Sequence, residues 1–86
     1  MINEVKKEQT ELFKIIGKNT KYYRNLYSLT KKKMTQENLA EEINVSTALI
    51  GNLESNKIPQ GISVYTLWKI SVALETPIEK FFENIS

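Results

Sequence analysis

The stretch TQENLAEEINVSTALIGNLE, residues 35–54, decides the fold of this chain. Thr35 can cap a helix because its hydroxyl can accept a hydrogen bond from a free backbone N–H, and Glu37 follows in the first turn, where the helix dipole favours a carboxylate. Asn44 tolerates the left-handed conformation that ends a helix. The spacing therefore predicts a helix from Gln36 to about Ile43, with an inner stripe of Leu39, Ala40 and Ile43.

A second helix follows after a turn of only about three residues. Ser46 is its predicted N-cap, and Ile50 and Leu53 fall on its inner side. Ala40 is small enough to let the two helices cross closely, near a right angle. The pattern predicts a helix-turn-helix unit over residues 36–55. Four residues of its second helix are expected to face outward, namely Thr47, Ala48, Gly51 and Asn52.

The rest of the chain is also predicted to be helical. Residues 1–16 read as an amphipathic N-terminal extension, and the same period continues toward Thr30; one long helix and two shorter ones both fit, because Gly17 and Asn19 could break the run. The apolar stripe predicted by this spacing consists of Ile2, Val5, Leu12, Phe13, Ile16, Tyr23, Leu26 and Tyr27. We expect an all-α protein with this extension attached to one helical domain, residues 17–86.

Beyond the second helix of the unit, Asn56 is a predicted C-cap, and Pro59 with Gly61 marks a loop. Ser63 is expected to open a fourth helix, and Pro77 fits the first turn of a last short one. The predicted inner residues of the fourth helix are Val64, Leu67, Ile70, Ser71 and Leu74, and the last short helix holds Ile78, Phe81 and Phe82.

Composition excludes several classes of protein. The chain has 86 residues, the size of one domain, and contains neither cysteine nor histidine, so disulfides, zinc fingers and a histidine base are ruled out. Glu41 and Glu42 read as a solvated helix face, and we expect no enzyme activity and no cofactor. No apolar run approaches the roughly 20 residues of a membrane span and the first residues do not resemble a secretory signal, so a cytoplasmic location is expected.

Charge is unevenly distributed although the net charge is only +2. Between Gly17 and Thr35 there are six cations and no acid: Lys18, Lys21, Arg24, Lys31, Lys32 and Lys33. Such a zone is typical of a surface that contacts phosphates, and it is equally typical of a solvated, lysine-rich turn.

The run from Thr35 to Glu54 resembles the helix-turn-helix of the phage Cro and repressor family, also called the xenobiotic-response-element family, and the likeness continues from Thr66 to Phe82. The resemblance implies a five-helix repressor-like domain that binds double-stranded DNA sequence-specifically and regulates transcription, as a repressor. It also implies that the recognition helix, residues 46–55, docks in the major groove.

Matched positions then supply the expected DNA contacts, which are Gln36, Ser46, Thr47, Ala48, Leu49, Gly51, Asn52 and Lys57, with Lys31, Lys32 and Lys33 beside them. Gln36 and the lysines would touch phosphates, and each lysine could instead be plain solvated surface. Asn52 can pair with adenine, and Thr47 with Ala48 can contact thymine methyls, so we expect an operator rich in A·T pairs. Leu49 could equally fill the core.

The chain departs from the family pattern in its first two helices. Their connection is longer, with Lys33 where the family commonly has glycine, and the position of a family arginine falls on Tyr27. Glu54, at the end of the recognition helix, could therefore pair with either Tyr27 or Arg24.

A homodimer on a palindromic operator is expected, because one recognition helix reads too few base pairs to be selective. Surplus apolar residues suggest the interface: Trp68, Val72, Phe82 and Ile85. Trp68 could instead pack under the N-terminal extension. An alternative function is an antitoxin or another protein-interaction module with the same fold.

Overall fold

The computed structural model describes residues 2–57 and 60–84, with side chains from Lys7 onward. Its elements are α1 (Ile2–Thr30), α2 (Gln36–Ile43), α3 (Thr47–Ser55), α4 (Val64–Ala73) and a short 3₁₀ helix, η1 (Ile78–Phe82). Over these residues there is no β-strand, which confirms the all-α prediction; the fifth helix is of the 3₁₀ type. Within the same ranges, no helix has both the length and the apolar character to cross a membrane.

The N-terminal extension and the first helix of the domain form one continuous helix of 29 residues. Gly17 does not break it. Instead, Gly17 lies where α1 crosses α3, and a Cβ atom at this position would overlap the backbone carbonyl oxygen of Leu53. Glycine is required there by close packing between two helices, and this decides between the one-helix and two-helix interpretations.

The ends of α2 and α3 are fixed by the local groups that the sequence indicated. The Thr35 hydroxyl accepts a hydrogen bond from the Asn38 backbone N–H at 3.0 Å, and the Asn38 side chain accepts one from the Thr35 N–H at 3.1 Å. Asn44 has φ 58°, the left-handed conformation, and the Ser46 hydroxyl accepts from the Leu49 N–H at 3.1 Å. These contacts confirm the predicted turn between the two helices.

The described residues after the turn follow the prediction with one exception; Pro59, which was predicted to mark a loop, lies outside them. Asn56 ends α3 with φ 59°, the Ser63 hydroxyl caps α4 by accepting from the Thr66 N–H at 3.0 Å, and Pro77 immediately precedes η1. Val64, however, is 80% exposed. It was predicted to lie on the inner face, but the first turn of α4 extends beyond the core, and burial begins only at Leu67.

The core lies where α1, α2, α3, α4 and η1 meet. Its most deeply buried side chains are Met34, Leu39, Ala40, Ile50, Ile70 and Phe81, each at most 1% exposed. Two polar residues of α1 are also fully buried: the Thr20 hydroxyl donates to the Ile16 carbonyl, and the Asn19 amide donates to the carbonyls of Phe81 and Glu83, all at 2.8 Å. Asn19 thus fastens η1 to α1, a role that the sequence pattern did not indicate.

Candidate nucleic-acid interface

The outer side of α3 is a small, mostly uncharged surface. Thr47 and Ala48 are exposed near its N-terminus, and Gly51 and Asn52 are partly buried one turn later. Ile50 and Leu53, on the other side, are at most 2% exposed. The helix therefore presents the four predicted residues on one face while two aliphatic side chains hold it against the core.

Ser46 and Leu49 have structural roles in addition to the predicted ones. The Ser46 hydroxyl is engaged in the cap of α3, and Leu49 is only partly exposed, with its side chain packed against the core. Packing agrees with the second interpretation of Leu49, as core filler at the margin of the face. DNA contacts by Ser46 and Leu49 stay predictions.

A buried ion pair braces the end of α3 against α1. The Arg24 guanidinium donates through Nε to Glu54 Oε2 and through Nη2 to Glu54 Oε1, both at 2.8 Å, and through Nη1 to the Met34 carbonyl at 3.0 Å. Arg24, and not Tyr27, is thus the partner of Glu54. Tyr27 lies one turn further along α1 and directs its hydroxyl toward Glu75.

Gln36 joins this network from the start of α2. Its side-chain amide donates to Glu54 Oε1 at 3.0 Å. The Gln36 Oε1 atom lies toward Gly51, 3.5 Å from where a Cβ of that residue would be. The first turn of α2 and the outer side of α3 therefore form one continuous surface, in which the orientation of Gln36 is set by Glu54.

The three consecutive lysines are not equivalent. Lys31 Nζ lies 2.6 Å from Glu75 Oε1 and 5.9 Å from the centroid of the Tyr27 ring. Its hydrogen bond to Glu75 raises the pKa of Lys31, and the same bond lowers the pKa of Glu75. Lys32 and Lys33 are exposed in the connection before α2, and Lys57 is exposed just beyond α3. The cation of Lys31 is thus held at the turn after α4, whereas the others face solvent.

Trp68 and Val72 are exposed on α4, as expected of surplus apolar residues. Trp68 is 52% exposed and Val72 55%, and they line a shallow groove with Ile43 and Ala73. Tyr65, which sequence reasoning missed, stacks on Trp68 with ring centroids 6.2 Å apart. A half-exposed Trp68 is not covered by the described side chains of the extension, so the alternative that buries it there is not supported.

Two further findings concern the remaining apolar surface. Phe82 is 47% exposed on η1, whereas Ile85 lies outside the described residues.

The apolar positions of α1 split between two faces: Phe13, Ile16 and Tyr23 pack on the core, while four others are at least 39% exposed, namely Leu12, Tyr22, Leu26 and Leu29. Leu12 and Leu26 were expected on the inner stripe, but the core covers a narrower strip of α1.

Comparison with known proteins supports the resemblance independently of these contacts. A helix-turn-helix family model of the Cro and repressor type matches residues 27–81, from the end of α1 through most of η1 and well over half of the chain. No curated protein and no solved structure matches the chain. The matched range contains both helices of the unit, the cap residues between them and Glu54. The chain therefore belongs to the Cro/repressor-type helix-turn-helix family of DNA-binding transcription regulators.

Proposed function

We propose that the protein is a sequence-specific repressor that binds a palindromic operator as a homodimer, with residues 46–55 in the major groove. The observation that carries the proposal is the presentation of α3. Its inner side chains Ile50 and Leu53 are buried, its ends are capped at Ser46 and Asn56, and its outer side is accessible. A rigid, outward helix of this kind fits between the two backbones of B-form DNA.

Base reading is assigned to the outer side of α3. Asn52 can form two hydrogen bonds with an adenine edge, and the methyl groups of Thr47 and Ala48 can contact thymine. Gly51 leaves room beside Gln36, so that a base or a sugar can approach the helix backbone. The surface has no arginine to read guanine, which supports an operator rich in A·T pairs.

Backbone contacts are assigned to the rim of this surface. Gln36 lies at the N-terminus of α2, where backbone N–H groups attract a phosphate, and Lys32, Lys33 and Lys57 are exposed cations. Lys31 is already paired with Glu75, whose negative charge opposes a nearby phosphate, so we expect its share of the binding energy to be the smallest of the three consecutive lysines.

The proposed dimer interface is the exposed apolar surface of α4, built on Trp68 and Val72, with Phe82 and Ile85 as further predicted members. Two recognition helices related by a twofold axis would read half-sites one DNA turn apart, about 34 Å. A stacked Tyr65–Trp68 pair supports this choice, because large rigid aromatic side chains are favoured at interfaces.

Selection of bound duplexes from a random pool tests the proposal. We expect a twofold-symmetric consensus rich in A·T pairs. Asn52→Ala should lose about 1–3 kcal/mol of discrimination at one base pair of each half-site, whereas Lys57→Ala should weaken all duplexes alike. A protein that prefers no duplex over random DNA at moderate salt would refute sequence-specific binding, and an asymmetric consensus would refute the dimer.

An interaction module, such as the antitoxin of a toxin–antitoxin pair, is the second candidate function. The exposed aromatic pair of α4 favours it, since such a pair can also receive another protein. Co-expression with the product of the adjacent gene, followed by gel filtration of wild type and Trp68→Ala, distinguishes the two. A complex that the variant fails to form supports the module, and a protein that elutes alone supports the repressor.

A further inference from the structure

A cleft separates the N-terminal part of α1 from the end of the recognition helix. It has a volume of about 170 Å³, and its walls come from α1 on one side and from the end of α3 and the following residues on the other. Its lining residues are Thr10, Phe13, Lys14, Leu53, Asn56, Lys57 and Gln60. We call it the α1–α3 cleft.

The packing of α1 explains why this cleft exists. Gly17 brings α1 against the Leu53 carbonyl, and Phe13, one turn earlier, packs against Gly61 with its ring 3.3 Å from where a Cβ would be. The extension is thus fixed at two points beside the end of α3. Between these points Asn56 turns the chain away in a left-handed conformation, which leaves an opening under Lys57.

The chemistry of the cleft is divided between floor and rim. The partly buried Phe13 supplies the apolar surface that we call the floor, and Lys14 and Lys57 supply a cation from each wall, which we call the rim; Leu53 also lines the cleft but is only 2% exposed. The nearest acid to Lys14 is Glu11, with Lys14 Nζ and Glu11 Oε1 4.0 Å apart and both side chains about half exposed. Such an exposed pair is weak, so it leaves Lys14 available for a stronger anionic ligand.

We propose that the α1–α3 cleft binds a sugar–phosphate segment of the DNA backbone next to the groove occupied by α3. Lys14 and Lys57 bind the phosphate from opposite sides, and the apolar floor receives the deoxyribose. This inference rests on the proposed DNA docking of α3. It gives the N-terminal extension, residues 1–16, a function that the helix-turn-helix unit alone lacks: a second cation at the exit of the recognition helix.

The position of Lys14 favours DNA over a free anion as the ligand. The cleft lies at the end of the same helix whose outer side carries the proposed base contacts, and one of its lining residues is Lys57, an expected phosphate contact. Phosphate and sugar occur together in every backbone segment, which matches a cationic rim over an apolar floor. A phosphate ion alone would use the rim and leave the floor unoccupied.

The salt dependence of DNA binding tests this assignment. Lys14→Gln is compared with Lys80→Gln, which removes the same charge from a similarly exposed i,i+3 ion pair on η1 that does not line the cleft. On one selected duplex, Lys14→Gln should reduce the slope of log K against log salt by about 0.9, the value for one lost phosphate contact, and should leave base preferences unchanged. Lys80→Gln should keep the wild-type slope.

Equal slopes for Lys14→Gln, Lys80→Gln and wild type would overturn the inference while sequence-specific binding by the wild type remained. Failure of the wild type to prefer any duplex would instead overturn the proposed function. Melting temperatures are measured in parallel: a Lys14→Gln variant that melts lower with an unchanged slope would assign Lys14 a structural role. Inorganic phosphate that stabilises wild type but not Lys14→Gln, again with an unchanged slope, would assign the cleft to a free anion.

Discussion

At the scale of single residues, two glycines inside helices serve opposite purposes. A Cβ at Gly17 would overlap the backbone of α3, which cannot move aside, whereas a Cβ at Gly51 would meet only the Gln36 side chain at 3.5 Å, an ordinary contact. Glycine costs about 1 kcal/mol in a helix interior relative to alanine. Close packing explains why residue 17 is a glycine, whereas stability does not explain why residue 51 is one.

Replacing each of these glycines with alanine should therefore change the free energy of unfolding in opposite directions. We expect Gly17→Ala to lower the free energy of unfolding by about 1–3 kcal/mol, the usual cost of overpacking, and Gly51→Ala to raise it by up to about 1 kcal/mol. Urea denaturation followed by circular dichroism measures both. A stabilised Gly17→Ala protein would show that α1 and α3 are not in close contact at this point.

The pair of Arg24 and Glu54 is the residue-scale contact with the greatest effect on stability. The Glu54 side chain is 2% exposed and that of Arg24 11%, so removing either partner leaves a buried charge without its counterpart. Arg24→Met should destabilise the protein by about 3–5 kcal/mol, and the double variant Arg24→Met with Glu54→Leu by much less than the two single changes together.

Glu11→Gln is the matched control for this prediction, because it removes an ion pair with both partners exposed. It should change stability by no more than about 0.5 kcal/mol. Chemical denaturation of the wild type and the four variants (the two single changes, the double variant and the control) decides the matter: an Arg24→Met protein as stable as the control would mean that the guanidinium contributes nothing to holding α3 on α1.

At the scale of elements, sequence reasoning succeeded where the cause is local. The caps at Thr35, Ser46 and Ser63 and the left-handed Asn44 depend on groups within three residues, so their types and spacing were sufficient. It failed where the cause is tertiary. Whether Arg24 or Tyr27 meets Glu54 depends on the rotation of α1 about its axis, and a 3.6-residue period does not fix that rotation to within one residue.

Buried polar residues were missed for the same reason. Asn19 was interpreted as a possible break in the helix and Thr20 was not singled out, and only the packing of η1 on α1 gives the Asn19 amide its two carbonyl partners. The candidate site followed a similar division: the outward face of α3 could be predicted from its period, whereas the cleft with Lys14 depends on how the extension packs and could not.

The Lys31–Glu75 ion pair joins two elements, the end of α1 and the turn after α4, and it makes stability depend on pH. Because the pKa of Glu75 is lowered, the Glu75 carboxylate contributes to folding stability above the ordinary carboxyl range. This contribution is lost as pH falls through the lowered pKa. Because the pKa of Lys31 is raised, the Lys31 ammonium contributes to folding stability below the ordinary lysine pKa. This contribution is lost as pH rises through the raised pKa.

Lys31→Met should therefore return the Glu75 titration midpoint toward its ordinary value, whereas Lys33→Met, in the same exposed segment, should leave the midpoint lowered. Nuclear magnetic resonance of the Glu75 carboxyl carbon measures this directly. The melting temperature of Lys31→Met should also fall less than that of wild type on acidification. An unchanged Glu75 midpoint in Lys31→Met would show that Lys31 is not the main cause, and would leave the smaller effects of Tyr27 and of the Lys32 charge, both of which lower the same pKa.

At the scale of the whole molecule, α1 determines the shape. A helix of 29 residues is about 44 Å long at 1.5 Å per residue, and the longest dimension of the protein is 44 Å against 24 and 22 Å for the others. An elongated molecule offers two separate apolar surfaces for self-association. One is the α4 surface with Trp68 and Val72; the other is the outer face of α1, where Leu29 is 84% exposed.

These two surfaces can be distinguished because a dimer reads DNA only if its twofold axis matches that of the operator. Trp68 is a large aromatic side chain beside a groove, the type of residue that dominates interfaces, so Trp68→Ala should weaken dimerisation by about 2 kcal/mol or more, roughly thirtyfold in the dimer dissociation constant. Leu29→Ala is the control and should leave that constant unchanged. Sedimentation equilibrium measures the dimer dissociation constants of both variants.

DNA affinity is then measured for a full palindrome and for a single half-site. Trp68→Ala should lose affinity for the palindrome while binding the half-site as wild type does. If Leu29→Ala dissociates the dimer and Trp68→Ala does not, the two copies associate through α1, and the relative placement of the recognition helices must be derived from that helix.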